Sequence, residues 1–247
     1  MTEIVTAAVL VIGDEILSGR TQDSNTGHIA RVLGALGIDL KEARVVPDEQ
    51  AEIVTALNAL RARYIYVFTT GGIGPTHDDI TADAVAAAFG VGIDYHPEAL
   101  ALLEPRYKPG EFHEMRKRMA RIPHGGTLIK NSVSVAPGFR IGNVFVMAGV
   151  PKIMQAMLEE IVPTLTPGAL VHSATVSVRM AEGRLAPGLA ELQKTYPQLS
   201  LGSYPFYSED GGGVQLVARG RDAAAVEAAA QDVEVLLRGL GGEPLRL

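Results

Sequence analysis

Short apolar runs alternate with amphipathic stretches along the first part of the chain. Uninterrupted apolar runs are typical of strands covered on both faces, and they occur at 7–12, 64–68 and 144–147. Residues 40–46 can form a further strand. Apolar residues repeat on one helical face at 24–36, 52–60, 82–89 and 153–161. This alternation predicts an α/β fold for residues 1–166, a three-layer α/β/α arrangement around a mostly parallel sheet.

The pattern changes near residue 167. Alternating or apolar strands are predicted at 171–179, 200–207, 214–218 and 243–247, and helices at 185–195 and 223–240. The order β-α-β-β-α-β is that of a ferredoxin-like unit, with a flexible hairpin tip at 208–213. We therefore expect a second, smaller α+β domain over residues 167–247.

A glycine-rich turn follows the strand predicted at 64–68. Gly71, Gly72 and Gly74 let the backbone turn sharply and approach a ligand closely. Thr76, followed three residues later by Asp79, resembles a capping box and predicts that a helix begins there. A strand, a glycine turn and a helix N-terminus together indicate a phosphate site.

The acids in this turn allow two interpretations. Asp78 and Asp79 place negative charge where a phosphate would bind. Either they cap the helix, because a helix N-terminus favours carboxylates, or they hold a divalent metal or the hydroxyl and amino groups of a ligand.

Acidic pairs follow three of the predicted parallel strands. They are Asp14 and Glu15, Asp48 and Glu49, and Asp78 and Asp79. Ligands of such sheets bind beyond the carboxyl ends of the strands, so the three turns are expected to converge on one site. The alternative, three separate solvated turns, stays open at this point.

Composition and charge exclude some kinds of site and disfavour some partners. The chain is 47% hydrophobic, has no cysteine and carries a formal charge of −6, so disulfides and thiolate metal sites are excluded and a nucleic-acid partner is disfavoured. No apolar run reaches membrane-span length and no basic leader is recognisable, so we expect a cytoplasmic protein with no membrane partner. The basic run 116–118 with Arg121 is either a solvated helix face or a phosphate contact.

Several motifs together carry a family resemblance. They are GDEILSGR at 13–20 with DSN at 23–25, VPD at 46–48, TGGIGPTHDDIT at 70–81, Asn131 with APGF at 136–139, and GVP at 149–151. In order and spacing this set resembles the molybdopterin-binding domain of MogA, MoaB, MoeA and gephyrin. It is closest to the branch at the N-terminus of CinA and in some FAD synthases, and LGSYP at 201–205 resembles the second domain of that branch. The resemblance does not extend to the CinA amidohydrolase domain, so we expect no deamidation of nicotinamide mononucleotide.

The resemblance implies a MogA-like fold and a small-molecule ligand. For the CinA-type branch it implies hydrolysis of a nucleotide pyrophosphate such as ADP-ribose or FAD, dependent on Mg²⁺ or on a transition metal (Co²⁺ or Ni²⁺). The alternative is a module of molybdenum cofactor biosynthesis that binds molybdopterin or a nucleotide without turnover. In the MogA-like branch, residues matching Asp48 and Asp79 act in adenylylating molybdopterin. We also expect a homo-oligomer, a dimer or a trimer.

Individual roles follow for the residues that match these motifs. Asp48 and Asp79 are the expected catalytic residues, with Asp48 as the base for an attacking water. A metal would be held by Asp14, Glu15, Asp78 and Asp79, because carboxylate oxygens suit hard cations. The expected ligand-binding residues are Gly13, Asp14, Asn25, Thr70, Gly71, Gly72, Gly74, Pro75, Thr76, Asp78, Thr81, Asn131, Pro137, Gly138, Gly149 and Pro151.

Overall fold

A computed structural model describes residues 4–208 and 211–247. The chain divides into two compact units, one ending at Gly168 and the other beginning at Ala169. Among the described residues, no helix has both the length and the apolar character needed to cross a membrane.

The first unit contains eight strands and seven α-helices within the described residues. The strands are β1 Thr6–Ile12, β2 Asp39–Val46, β3 Tyr66–Thr70, β4 Ile93–Tyr95, β5 Arg121–Pro123, β6 Thr127–Ile129, β7 Gly138–Ile141 and β8 Val144–Met147. The helices are α1 Asp14–Leu17, α2 Asn25–Ala35, α3 Gln50–Arg63, α4 Thr81–Phe89, α5 Pro97–Leu103, α6 Glu114–Lys117 and α7 Pro151–Ile161.

Six of these strands form the central sheet, in the order β2-β1-β3-β8-β7-β6. The first four run parallel, whereas β7 and β6 are antiparallel to their neighbours. The sheet separates two layers of helices because the side chains of β1 alternate between its faces. Ala8, Leu10 and Ile12 pack with α3 and α4, while Ala7, Val9 and Val11 pack with α2 and α7. The predicted three-layer, mostly parallel fold is confirmed.

Two local predictions differ from the structure. The strand predicted at 64–68 lies two residues later, because α3 continues to Arg63 and Tyr64 follows it as the C-cap residue. The predicted helix start at Thr76 is wrong: α4 begins at Thr81, and its first N–H donates to the Gly72 carbonyl at 3.0 Å. Its end is as predicted, since Gly90 adopts the left-handed conformation with φ 66°.

The described part of the second unit, residues 169–208 and 211–247, forms a four-stranded antiparallel sheet with two helices. Its elements are β9 His172–Val178, α8 Glu182–Thr195, β10 Ser200–Ser208, β11 Gly211–Gly220, α9 Ala223–Gly239 and β12 Leu245–Arg246. The strand order β10-β11-β9-β12 places the first and third strands in the centre, as in ferredoxin-like folds, and confirms that prediction. The predicted hairpin tip includes residues 209 and 210, which lie outside the described residues.

Candidate functional site

The carboxyl ends of the four parallel strands meet at one edge of the central sheet. Backbone hydrogen bonds join the residues that leave the strands: Gly13 N–H donates to the Val46 carbonyl at 3.2 Å, and Gly71 N–H donates to the Met147 carbonyl at 3.2 Å. The turns after β1, β2, β3 and β8 are thereby held side by side. This is the edge at which parallel α/β sheets bind ligands.

Three acidic turns lie close together at this edge. The backbone N–H of Asp14 donates to Asp48 Oδ2 at 3.0 Å. Burial raises the pKa of the Asp48 carboxyl, the hydrogen bond from Asp14 acts against this, and the charges of Asp14, Glu15 and Asp78 raise the pKa further. The structure therefore brings together residues from the turns after β1, β2 and β3.

Asp79 occupies a different place from the other acids. Its Oδ2 accepts hydrogen bonds from the Thr76 backbone N–H at 2.8 Å and from the Thr76 hydroxyl. The predicted alternative that Asp79 caps α4 is wrong, because these bonds close a turn that precedes the helix and α4 itself has no side-chain cap. Within residues 4–208 and 211–247, no three His, Asp or Glu side chains are grouped so that they could hold a metal ion. The four-carboxylate metal set stays a prediction.

The glycine turn is required by close packing of the backbone. Gly71 and Gly72 have φ angles of 106° and 66°. A Cβ on Gly71 would lie 2.1 Å from the Ile12 carbonyl oxygen, and a Cβ on Gly72 would lie 2.2 Å from Thr81 Oγ1. The buried Thr81 hydroxyl donates to the Gly71 carbonyl at 2.9 Å, so Thr81 joins α4 to the turn.

One side of the glycine turn borders a cleft that we call the Asn25 cleft. It has a cavity volume of about 50 Å³. Its lining comes mainly from the ends of β1 and β3 and the starts of α2 and α7, and includes Glu15, Asp23, Asn25, Thr70, Gly149 and Pro151. Asn25 is only 7% exposed, and its Nδ2 donates to the Gly149 carbonyl at 2.8 Å. Among the described residues, Asn25 Oδ1 and the buried Thr70 Oγ1 have no hydrogen-bond partner.

These two oxygens are the clearest sign of a binding site. Buried polar side-chain atoms are normally hydrogen-bonded, and one left unpaired costs about 1–3 kcal/mol. Both atoms belong to residues that line the cleft, which makes the cleft the candidate binding site at this edge of the sheet.

A second, shallow cleft lies beside the glycine turn and has a cavity volume of about 20 Å³; we call it the Arg118 cleft. Its lining includes Gly72, Gly74, Asp79, Arg118, Arg121 and Pro137. A Cβ on Gly74 would lie 2.7 Å from Asp79 Oδ2, so the glycine makes room for this carboxylate. Of the expected ligand-binding residues at this turn, Pro75, Thr76 and Asp78 are exposed.

The predicted residues after β6 have mainly structural contacts. Asn131 is 8% exposed, donates to the Ala136 carbonyl at 2.6 Å, and accepts from the N–H groups of Val133 at 3.1 Å and Ser134 at 2.7 Å. It thus organises the loop that leads to Pro137. Gly138 is buried in β7, where a Cβ would lie 2.3 Å from the Val146 carbonyl oxygen.

Arg118 lines the Arg118 cleft and does not belong to the predicted set. The basic run 116–118 is the only sequence signal for it, and that run does not distinguish Arg118 from its neighbours. The difference lies in the contacts: Arg121 forms two hydrogen bonds with Asp83, of 2.8 and 2.7 Å, whereas Arg118 donates to the Asp79 backbone carbonyl at 3.3 Å.

Comparison with known proteins agrees with this architecture. Residues 8–167 match the model of a probable molybdopterin binding domain, and residues 170–240 match the middle domain of FAD synthase. A protein of Caldivirga maquilingensis is 38% identical over 196 residues, which cover 76% of this chain and 76% of that protein.

Two CinA relatives match the first unit. A CinA-like protein of Citrifermentans bemidjiense is 45% identical over 166 residues, covering 64% of this chain but 40% of that longer protein. The crystal structure of a CinA protein of unknown function from Thermoplasma acidophilum has a TM-score of 0.62 and 33% identity, and covers 65% of this chain and 98% of that one. With a family model matching most of its length, the chain belongs to the molybdopterin-binding domain family, in agreement with the resemblance seen in its motifs.

Proposed function

We propose that the chain binds a pterin- or nucleotide-type phosphate ligand at the carboxyl ends of β1, β3 and β8. The observation that carries this proposal is the pair of buried, unpaired oxygens in the described part of the Asn25 cleft, on Asn25 and Thr70. They would accept hydrogen bonds from the N–H or O–H groups of such a ligand, or, for the Thr70 hydroxyl, donate one. Membership of a molybdopterin-binding family supports the same ligand class.

The reaction we propose is hydrolysis of a nucleotide pyrophosphate of the ADP-ribose or FAD type. Asp48 Oδ2 is held by Asp14, and Oδ1 lies 3.6 Å from the position that a Cβ on Gly72 would take. Oδ1 therefore faces the glycine turn, where the phosphate is expected. Its raised pKa makes Asp48 a better proton acceptor than an ordinary aspartate. Asp48 would take the proton of a water whose oxygen bonds to one phosphorus, while the bridging P–O bond breaks and the phosphomonoester on its other side leaves.

The acids at this edge fit a metal held jointly with the ligand. Mg²⁺ is commonly bound by one or two carboxylates together with phosphate oxygens and waters, which does not require a preformed protein cage. Asp14, Glu15 and Asp78 would supply these carboxylates, and Asp79 is the fourth candidate. Such a cation would neutralise phosphate charge and polarise the phosphoryl group. The same acids would orient the ligand by accepting hydrogen bonds from its hydroxyl or amino groups.

A second candidate is a binding module of molybdenum cofactor biosynthesis that performs no hydrolysis. The family match favours it, since the matched model describes binding of molybdopterin and no reaction. The two candidates share the site and differ only in turnover.

Calorimetric titration combined with product analysis tests both candidates. The whole chain is titrated with ADP-ribose, FAD, AMP and molybdopterin, with and without Mg²⁺, Co²⁺ or Ni²⁺. Metal-dependent release of AMP that is lost in Asp48→Asn and kept in the neighbouring variant Glu49→Gln supports the hydrolase. Binding without product under every metal condition contradicts the hydrolase and supports the binding module. If the chain binds none of the four ligands, the proposed function is wrong.

A further inference from the structure

We propose that Arg118 is the phosphate-binding cation of the Arg118 cleft. This inference rests on the proposed function, because it assumes a ligand that carries a phosphate. The sequence left open whether the basic run 116–118 with Arg121 is a solvated face or a phosphate contact, and the proposal assigns the phosphate contact to Arg118.

The other cations of this cluster already have carboxylate partners. Arg116 lies 3.5 Å from Glu111, and Lys117 lies 2.7 Å from Glu114. Arg121 binds both carboxylate oxygens of Asp83, at 2.8 and 2.7 Å. These three charges are neutralised within the protein. An anionic ligand would have to share any of them with a carboxylate or displace it.

Arg118 has no carboxylate partner in the described part of the chain. Its Nη2 donates to the Asp79 backbone carbonyl at 3.3 Å, and its Nε is buried without a partner among residues 4–208 and 211–247. A guanidinium has five N–H donors in a planar fork that matches two oxygens of a phosphate. The bond to Asp79 occupies one N–H of Nη2, so the other amino N–H groups of Arg118 can donate to a phosphate in the cleft, and the buried Nε–H still lacks a protein partner among the described residues.

The surroundings of Arg118 also define what the phosphate must be attached to. The Asp79 carboxylate lies in the same cleft, and its charge would repel an isolated anion. Thr76 supplies two donors to Asp79 Oδ2, which leaves Oδ1 for a hydroxyl or amino group. A phosphate with such donors a few atoms away, as in a nucleotide, would satisfy Arg118 and Asp79 together.

Titration with AMP and adenosine tests this assignment, because the two ligands differ only in the phosphate. The unsubstituted protein is expected to prefer AMP. In Arg118→Gln the affinity for AMP should fall about ten- to a hundredfold, the loss typical of a hydrogen bond to a charged group, with adenosine affinity unchanged. Arg118→Lys should restore part of the preference. Arg116→Gln removes a neighbouring charge outside the cleft and should leave the preference intact.

The other outcomes of this titration contradict the role of Arg118, the phosphate ligand, or both. Equal losses of AMP and adenosine affinity in Arg118→Gln, with folding verified by thermal unfolding, would mean that Arg118 only supports the turn at Asp79. A phosphate preference that persists in Arg118→Gln would reject the assignment and leave the proposed function standing. An unsubstituted protein without any phosphate preference would overturn the phosphate ligand and Arg118 together.

Discussion

Asp48 Oδ2 accepts a hydrogen bond of 3.0 Å from the backbone N–H of Asp14, which joins the turns after β1 and β2. The bond stabilises the ionised form of Asp48, yet burial and the nearby acids outweigh it and raise the pKa. The site therefore holds a carboxylate under unfavourable electrostatic conditions, as is common where charge serves function. Because folding raises the pKa of Asp48, replacing this residue should change the free energy of unfolding as well as ligand binding.

Asp48→Asn should raise the free energy of unfolding at neutral pH. Because folding raises the pKa of Asp48 above its ordinary value of 3.8, the stability associated with its protonated form is present below that value and lost as pH rises through the folded-state pKa. Asparagine keeps an oxygen for the Asp14 N–H and carries no charge. The gain should appear in urea unfolding at pH 7 and vanish near pH 3.

The matched control is Glu49→Gln. Glu49 is exposed in the same turn and is not among the groups that raise the pKa of Asp48. Its replacement should leave stability nearly unchanged at both pH values. An equal gain in both variants would show that net charge, and not the setting of Asp48, is responsible.

Gly71→Ala should destabilise the first unit by about 2–5 kcal/mol, the sum of left-handed strain and overpacking. The new Cβ would lie 2.1 Å from the Ile12 carbonyl oxygen. Gly90→Ala is the control, since Gly90 also has a positive φ but no atom within 4 Å of a Cβ, and it should cost about 1 kcal/mol. Denaturant unfolding of the two variants separates packing from strain, and equal losses would contradict the close approach at Gly71.

Asp79→Asn should weaken metal-linked ligand binding at least about tenfold while changing the free energy of unfolding by less than about 0.5 kcal/mol. Asparagine retains an oxygen for the Thr76 donors and loses only the charge. Asp79→Ala removes the acceptor too, and should cost about 1 kcal/mol more in stability. Calorimetry and thermal unfolding of both variants give the two readouts. Full binding by Asp79→Asn would exclude a role for the charge.

Asn131→Ala should destabilise the protein by about 1–3 kcal/mol and loosen the loop before Pro137. The replacement removes one donor and one acceptor that together serve Val133, Ser134 and Ala136. Val135 in this loop has a φ of 67°, a strained conformation for a β-branched residue that its surroundings must maintain. Hydrogen exchange should show faster exchange at 133–136 only. Asn131→Asp, which keeps the acceptor, should lose less.

The architecture was predictable because its signals are local and repetitive. The run at 144–147 coincides with β8, since a strand buried on both faces has apolar residues at every position. Tyr64 shows the limit of such patterns. As an aromatic residue at the beginning of an apolar run, Tyr64 is expected to start the strand. In the structure it follows α3 instead, and its hydroxyl donates to Glu42 of β2 at 2.7 Å, a contact that sequence spacing does not indicate.

The site was predictable only in part, for a related reason. The glycine turn and the acidic turns follow strands in the sequence, so their common edge follows from topology. The capping box at Thr76 failed because its Asp79 carboxylate bonds Thr76 in a turn that ends before α4. Arg118 was not predicted because the sequence does not show which cations of the basic run have a carboxylate partner. Arg121, for example, pairs with Asp83, which lies in α4 and is distant in sequence.

The bond from Asn25 Nδ2 to the Gly149 carbonyl has a consequence for selectivity. A free amide can turn over and exchange its oxygen and nitrogen, but this bond holds one N–H on Gly149 and leaves Oδ1 without a partner among the described residues. Because Oδ1 can only accept, a ligand atom that bonds to it must carry an N–H or O–H group. Of two tautomers of the same ring, the one that carries the proton at the contacting nitrogen would bind to Oδ1 more tightly.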